Sequence, residues 1–212
     1  MRRALLAGLL LALLAAAAPA RAGAQREEDL PPAMRAALAG EIDAGLATTP
    51  HFDNPARLVS YLLWLADESV RLRRRIPDRM VRENLLQTVW YEASRAGLEP
   101  ALVLGLIQVE SGFNKYAISR AGAIGLMQVM PFWTRLLGDG DPEQLLRMRV
   151  NLRYGCVILR HYLDEEHGNL FFALGRYNGS RGQAGYPDAV LAARRAWRVA
   201  PRALQLAAGI RR

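Results

Sequence analysis

Helical periodicity governs the chain from Asp53 onward, and this restricts the fold more than any other feature of the sequence. Apolar residues recur there at three- and four-residue intervals, as in Leu58, Leu62 and Leu65. A glycine-rich segment, residues 112–131, interrupts the pattern without containing a convincing strand. The sequence therefore predicts an all-α or nearly all-α domain with one irregular segment in its middle.

Prolines, glycines and capping residues divide the periodic region into separate helices. Asp53 or Asn54 is a suitable cap before Pro55, and Gly97 and Gly112 are suitable C-terminal stops. The predicted helices begin at Pro55, Pro77-Asp78 and Pro100, then at Pro131 and after the capping sequence Asp141-Pro142-Glu143, and three more occupy residues 150–166, 169–177 and 187–197.

The first 24 residues have the composition of a secretory signal peptide. Two arginines precede fifteen consecutive Ala, Leu and Gly residues, and Ala20-x-Ala22 and Ala22-x-Ala24 are suitable cleavage sites. A membrane-spanning helix needs roughly 20 apolar residues, so this run is short for one. We expect export to the periplasm or cell envelope with cleavage near Ala24; the alternative is retention as an N-terminal anchor.

The remainder of the chain divides into three predicted parts. Residues 25–54 are polar at their start, with a weak helical stretch between Ala33 and Leu46, and are interpreted as an N-terminal arm. Residues 55–198 form the predicted helical domain, and 199–212 a C-terminal tail.

Charge and cysteine content exclude several classes of protein. The whole chain has a net charge of +8, which falls to +5 when the arginines of the first 24 residues are removed. The basic run 71–75 lacks interleaved aromatic residues and ends a predicted helix, so we expect no nucleic-acid partner. One cysteine, Cys156, excludes an intramolecular disulfide, and its apolar neighbours favour a buried thiol over a reactive one.

No metal or cofactor site is predicted. His161 and His167 lack the spacing of a metal-binding motif, and no glycine-rich phosphate loop follows a strand.

A single acid, Glu110, interrupts the otherwise apolar helix over residues 100–111. Val103, Leu106 and Ile107 precede it at helical spacing, so its side chain projects along an apolar stripe. Burial and the negative end of the helix dipole both raise the pKa of such a carboxyl and favour a general acid. Two different interpretations stay open, a glutamate that reaches solvent at a frayed helix end and one paired with an arginine.

The glycine-rich segment that follows has the composition of a binding surface. Its glycines allow close backbone approach, Ser119 and Gln128 supply hydrogen-bonding groups, and Met127 and Met130 supply adaptable apolar contact. Folded back over Glu110, it is expected to form one wall of a groove for a polar polymer.

Four motifs together resemble the lytic transglycosylase (SLT) domain, which is related in fold to goose-type lysozyme. The resemblance covers roughly residues 82–197. The motifs are Glu110-Ser111, the run Gly125-Leu126-Met127-Gln128-Val129-Met130-Pro131, the pair Asn151-x-x-x-Gly155, and Tyr177-Asn178.

The resemblance implies a role for each matched residue. Glu110 corresponds to the sole catalytic acid and base of the family, and Tyr177 to a tyrosine that helps to orient this carboxylate. The candidate substrate-binding residues are Ser111, Ser119, Met127, Gln128, Met130, Tyr177 and Asn178. Tyr177 could instead be a core tyrosine with a satisfied hydroxyl, and for Asn151 and Gly155 a structural role is favoured. Around Tyr177-Asn178, Arg176, Gly179 and Ser180 replace the alanines and glycine of the family motif.

The resemblance implies cleavage of the glycan strands of peptidoglycan between N-acetylmuramic acid and N-acetylglucosamine. Glu110 would first protonate the bridging oxygen and then deprotonate the muramoyl 6-hydroxyl, producing a 1,6-anhydro end. A two-carboxylate glycosidase stays open, because Asp139, Asp141 or Asp164 could fold beside Glu110. A hydrolytic muramidase and a non-catalytic wall-binding or assembly protein are also compatible with the sequence. A partner in the envelope or a secretion apparatus is not identified by the sequence.

Overall fold

The computed structural model describes residues 25–44 and 52–198, within which eight α-helices and one short 3-10 helix form. No strand occurs in these two ranges, and extended pairing is limited to the isolated bridges Ile118–Ile124 and Ile124–Val129. The predicted all-α fold is therefore confirmed. The predicted signal peptide and C-terminal tail lie outside the described residues.

Most of the predicted helix boundaries agree with the structure. The helices are α1 Pro32–Asp43, α2 Pro55–Leu72, α3 Arg79–Arg95, α4 Pro100–Ser111, α5 Phe132–Leu137, a 3-10 helix Pro142–Leu146, α6 Met148–Glu165, α7 Leu170–Asn178 and α8 Gly185–Trp197. Side-chain caps explain several starts: Asn54 accepts a hydrogen bond from Ala56 N at 2.8 Å, and Asp78 accepts one from Val81 N at 3.1 Å. Helices α6 and α8 each begin two residues earlier than predicted, and α1 ends three residues before the predicted Leu46.

Helix α4 lies in the centre of the core and packs closely on α8. Val103, Leu104, Leu106 and Ile107 have no exposed surface. Gly105 allows this close approach, since a Cβ atom there would lie 2.7 Å from Arg194 N on α8. The last turn of α4 and the first turn of α8 are thereby held side by side.

The N-terminal arm packs against the helical domain. Leu30 and Leu38 are buried in the common core. Arg153 of α6, itself buried, binds Glu92 of α3 at 2.6 Å and donates to Ile42 O at 3.2 Å, at the C-terminal end of α1. A cation at this end of a helix satisfies carbonyl groups that lack partners within the helix.

Cys156 is buried in the core, as predicted. This burial raises the pKa of the thiol far above its usual value, which keeps it in its unreactive neutral form. Within the described ranges, every helix is too short or too polar to cross a membrane.

Candidate active site

Glu110 lies in the last turn of α4, at the point where the chain leaves the helix. Gly112 ends α4 in the left-handed conformation with φ 58°, and its N–H donates to Gln108 O at 3.2 Å. Only 6% of Glu110 is exposed. The carboxyl group thus faces the interior, as its position on an apolar stripe predicts.

The two oxygens of the Glu110 carboxyl have different surroundings. Tyr186, in the first turn of α8, donates a hydrogen bond from its hydroxyl to Oε1 at 2.6 Å. The second oxygen, Oε2, is buried and has no hydrogen-bond partner among the described residues. Burial raises the pKa of Glu110 to about 8, although the hydrogen bond from Tyr186 opposes the shift. The group therefore carries a proton at neutral pH.

This environment decides between the interpretations of Glu110 that its helix leaves open. The side chain is almost fully buried and pairs with none of the arginines in the described part of the chain. The predicted rise in its pKa is confirmed, with burial as the main cause. No sequence pattern marks Tyr186 as a site residue. It lies 76 residues from Glu110 along the chain and reaches it only through the packing of α8 on α4.

The other acids considered for a two-carboxylate site lie elsewhere. Asp139 lines a cleft formed with α1, and Asp141 caps the 3-10 helix by accepting a hydrogen bond from Glu143 N at 2.9 Å. Asp164 pairs with Arg160 within α6. None of the three is among the groups that shift the pKa of Glu110.

Residues 124–130, which we call the glycine-rich wall, are tethered beside Glu110 by side chains from three helices. Ser111, the neighbour of Glu110, donates to Leu126 O at 2.8 Å, and Tyr177 of α7 donates to Met127 O at 2.8 Å. Asn151 of α6 accepts from Met127 N and donates to Ile124 O, both at 2.8 Å. The predicted return of this segment over the end of α4 is therefore present in the structure.

Close contacts explain why glycine occurs at two positions, Gly125 in the glycine-rich wall and Gly155 on α6. Gly125 has φ 81°, and a Cβ atom there would lie 2.8 Å from Leu145 O. A Cβ atom on Gly155 would lie 2.7 Å from Met127 Cβ. The structural roles favoured for Asn151 and Gly155 are thus confirmed.

Several of the predicted substrate-binding residues are interior in this structure. Met127, Gln128, Tyr177 and Asn178 are all buried. The Gln128 amide donates to Ala117 O at 3.1 Å and Gly125 O at 2.9 Å, so it braces the wall from within. The Tyr177 hydroxyl donates to Met127 O, and the hydrogen bond to the Glu110 carboxyl comes from Tyr186. A role of Tyr177 in orienting Glu110 stays a prediction.

The three partly exposed candidates are Ser111, Ser119 and Met130. Ser119 Oγ accepts a hydrogen bond from Ala123 N at 3.0 Å, which holds it at the turn before the wall. Contact with substrate stays a prediction for these residues.

Arg176, one of the residues that depart from the family motif near Tyr177, makes two ion pairs. Arg176 pairs with Glu166 at the end of α6 and with Glu28 of the arm, the latter at 3.2 Å. Arg181 pairs with the same Glu166 at 2.7 Å. Arg176 therefore joins α7 to the arm.

A buried carboxyl with a raised pKa, one oxygen hydrogen-bonded and the other without a partner among the described residues, has the properties that general acid catalysis requires. Over residues 25–44 and 52–198, no three His, Cys, Asp or Glu side chains cluster as metal ligands do. Residues 87–189 match the family model described as "Transglycosylase SLT domain". This segment of the chain is therefore similar to the transglycosylase SLT domain.

Relatives of known name agree with this match. Membrane-bound lytic murein transglycosylase C of Histophilus somni (strain 2336) is 41% identical over 144 residues, which are 61% of this chain and 37% of that protein. The protein of the same name from Actinobacillus pleuropneumoniae serotype 5b (strain L20) is 43% identical over 81 residues, 34% of this chain and 22% of that protein. The transglycosylase of Enterobacteria phage PRD1 is 36% identical over 103 residues, 47% of this chain and 36% of that protein.

The chain thus spans between about a fifth and just over a third of the length of these relatives. A solved structure of an inactive mutant of lytic transglycosylase Slt from Pseudomonas aeruginosa is similar at 21% sequence identity and a TM-score of 0.49. The matched region covers 71% of this chain and 30% of the Slt chain.

Proposed function

We propose that this protein is a lytic transglycosylase that cleaves peptidoglycan glycan strands without water, leaving 1,6-anhydro-N-acetylmuramic acid ends. The proposal is supported by the SLT domain and by relatives named as lytic murein transglycosylases. The observation that carries it is the state of Glu110, a buried carboxyl with a pKa of about 8 and one unpartnered oxygen.

The first step is protonation of the glycosidic oxygen between N-acetylmuramic acid and N-acetylglucosamine. Because Oε1 of Glu110 accepts the hydrogen bond from Tyr186, the carboxyl proton resides on Oε2. Transfer of that proton to the bridging oxygen lets the N-acetylglucosamine end leave as an alcohol. The muramoyl 2-acetamido oxygen assists departure from the anomeric carbon.

The second step uses the carboxylate that the first step leaves behind. Glu110 accepts the proton of the muramoyl 6-hydroxyl, and the 6-oxygen bonds to the anomeric carbon, which restores the neutral acid and closes the anhydro ring. Two-carboxylate glycosidases place their acids within about 10 Å of each other, where each perturbs the titration of the other. The pKa of Glu110 is shifted by burial and by Tyr186, with no acid contributing among the described residues, which favours a single-carboxylate mechanism.

Mass spectrometry of the muropeptides released from purified peptidoglycan tests the proposal. We expect the products to be lighter by one water than those of a muramidase digest, and we expect Glu110→Gln to release none. Reducing-end products from the unmodified protein would make it a hydrolase. Complete absence of cleavage would make it a wall-binding protein.

We further propose that the protein works in the cell envelope, where its substrate lies. Support comes from relatives named as membrane-bound murein enzymes. Fractionation of producing cells, followed by immunoblotting, tests this location.

A further inference from the structure

The glycine-rich wall has a fourth tether, and it comes from outside the SLT-matched segment. Ser111, Asn151 and Tyr177 all lie within residues 87–189 and bind the backbone of Ile124, Leu126 and Met127. The second half of the wall is bound instead by Gln25, the first described residue of the N-terminal arm, more than 100 residues away.

The Gln25 side chain makes three hydrogen bonds to this region. Its Oε1 accepts from Trp133 Nε1 at 3.0 Å and from Met130 N at 3.2 Å, while its Nε2 donates to Gln128 O at 3.4 Å. Only 4% of Gln25 is exposed. A buried amide with this many partners holds the groups around it in one arrangement.

Other residues of the arm also hold it against the helical domain. Glu27 pairs with Arg135 of α5 at 3.3 Å, and Glu28 pairs with Arg176 of α7 at 3.2 Å. Leu30 is buried in the common core. Exposed ion pairs contribute little by themselves, but burial of Leu30 fixes the path of the arm.

The segment that Gln25 binds has a reason to need support. Gln128 adopts φ 50°, a left-handed conformation that is unfavourable for a residue with a side chain. Its carbonyl and the N–H of Met130 are the groups that Gln25 binds. Without these bonds the wall can relax at Gln128, while its first half stays tethered.

We propose that Gln25 is a positioning residue of the active site, so that the arm completes a catalytic wall which the SLT-matched segment holds only in part. The proposal rests on the proposed function for its activity readout. Gln25 acts through the backbone of Gln128 and Met130 and does not touch Glu110, whose held oxygen is bound by Tyr186.

Two variants of Gln25 separate hydrogen bonding from packing. Gln25→Met keeps the length of the side chain without its polar groups, and Gln25→Ala removes both. We expect each to lower kcat by about tenfold or more, since small displacements of a catalytic wall have effects of this size, with a smaller change in KM. The alkaline limb of the pH profile stays in place because the surroundings of Glu110 are unchanged.

Glu27→Gln is the matched control, because it removes an ion pair of the same arm without touching the wall, and we expect wild-type kcat from it. All variants are assayed well below their measured Tm. Wild-type kcat in Gln25→Met, or an equal loss in Glu27→Gln, would overturn the proposal.

Amide hydrogen exchange provides a readout that does not depend on catalysis. In Gln25→Met we expect the Met130 N–H and the Trp133 indole N–H to exchange about tenfold faster, with no change at Met127 N, which Asn151 binds. Unchanged exchange at Met130 would refute the role of Gln25 even if the protein released no anhydro product. If Met130 exchanged faster in Gln25→Met but the unmodified protein released no anhydro product, only the proposed function would be refuted.

Discussion

Replacing Glu110 with glutamine is expected to stabilise the protein increasingly as the pH rises. Burial raises the pKa of this carboxyl from 4.5 in the unfolded chain to about 8 in the folded protein. Between these values the folded state binds more protons than the unfolded state. The stability that Glu110 contributes is therefore complete below pH 4.5 and is lost progressively as the pH rises to about 8.

The size of the effect follows from the shift. One pKa unit corresponds to about 1.4 kcal/mol. Because Glu110 ionises in the unfolded chain while it stays protonated in the folded protein, the unfolding free energy falls by about 3 kcal/mol by pH 7 and by about 5 kcal/mol by pH 9. The substituted glutamine side chain does not titrate, has nearly the same shape, and still accepts the hydrogen bond from Tyr186. The unfolding free energy of Glu110→Gln minus that of the wild type should rise by these amounts between pH 4 and pH 9.

Urea unfolding of both proteins at a series of pH values measures this difference, provided that the m-values agree. Glu68, another buried acid whose pKa is raised to about 7 by burial, is present in both proteins and cancels in the comparison. If the two unfolding free energies stayed parallel from pH 4 to pH 9, Glu110 would not be a desolvated acid, and the argument for its proton at neutral pH would fail.

Two further substitutions test the surroundings of Glu110. Tyr186→Phe removes a hydrogen bond that lowers the pKa of Glu110, so the alkaline limb of the kcat/KM profile should move to higher pH. We also expect kcat to fall by about tenfold. An unmoved limb would contradict the assignment of this limb to Glu110. Gly105→Ala places a Cβ atom 2.7 Å from Arg194 N, so the unfolding free energy from urea denaturation should fall by about 1–3 kcal/mol; unchanged stability would show that α4 and α8 can separate at no cost.

Local features of the sequence were sufficient for the fold class and for most helix ends. Periodicity, proline at the first turn and caps such as Asn54 act within a few residues, so their consequences can be inferred without tertiary contacts. The largely apolar helix around Glu110 predicted the burial of its carboxyl, but the helix alone left two other interpretations open. The resemblance of the motifs to the SLT domain supplied the proposed role of Glu110 as acid and base and the proposed glycan substrate.

Only the tertiary structure decided which groups surround that acid. Tyr186 reaches Glu110 from 76 residues away, and Gln25 reaches the glycine-rich wall beside it from more than 100 residues away. The Tyr177 hydroxyl donates to Met127 O of the same wall. These contacts depend on how closely α8 approaches α4 and on where the arm docks. Such long-range packing is set jointly by the shapes of several helices, and no local pattern in the sequence encodes it.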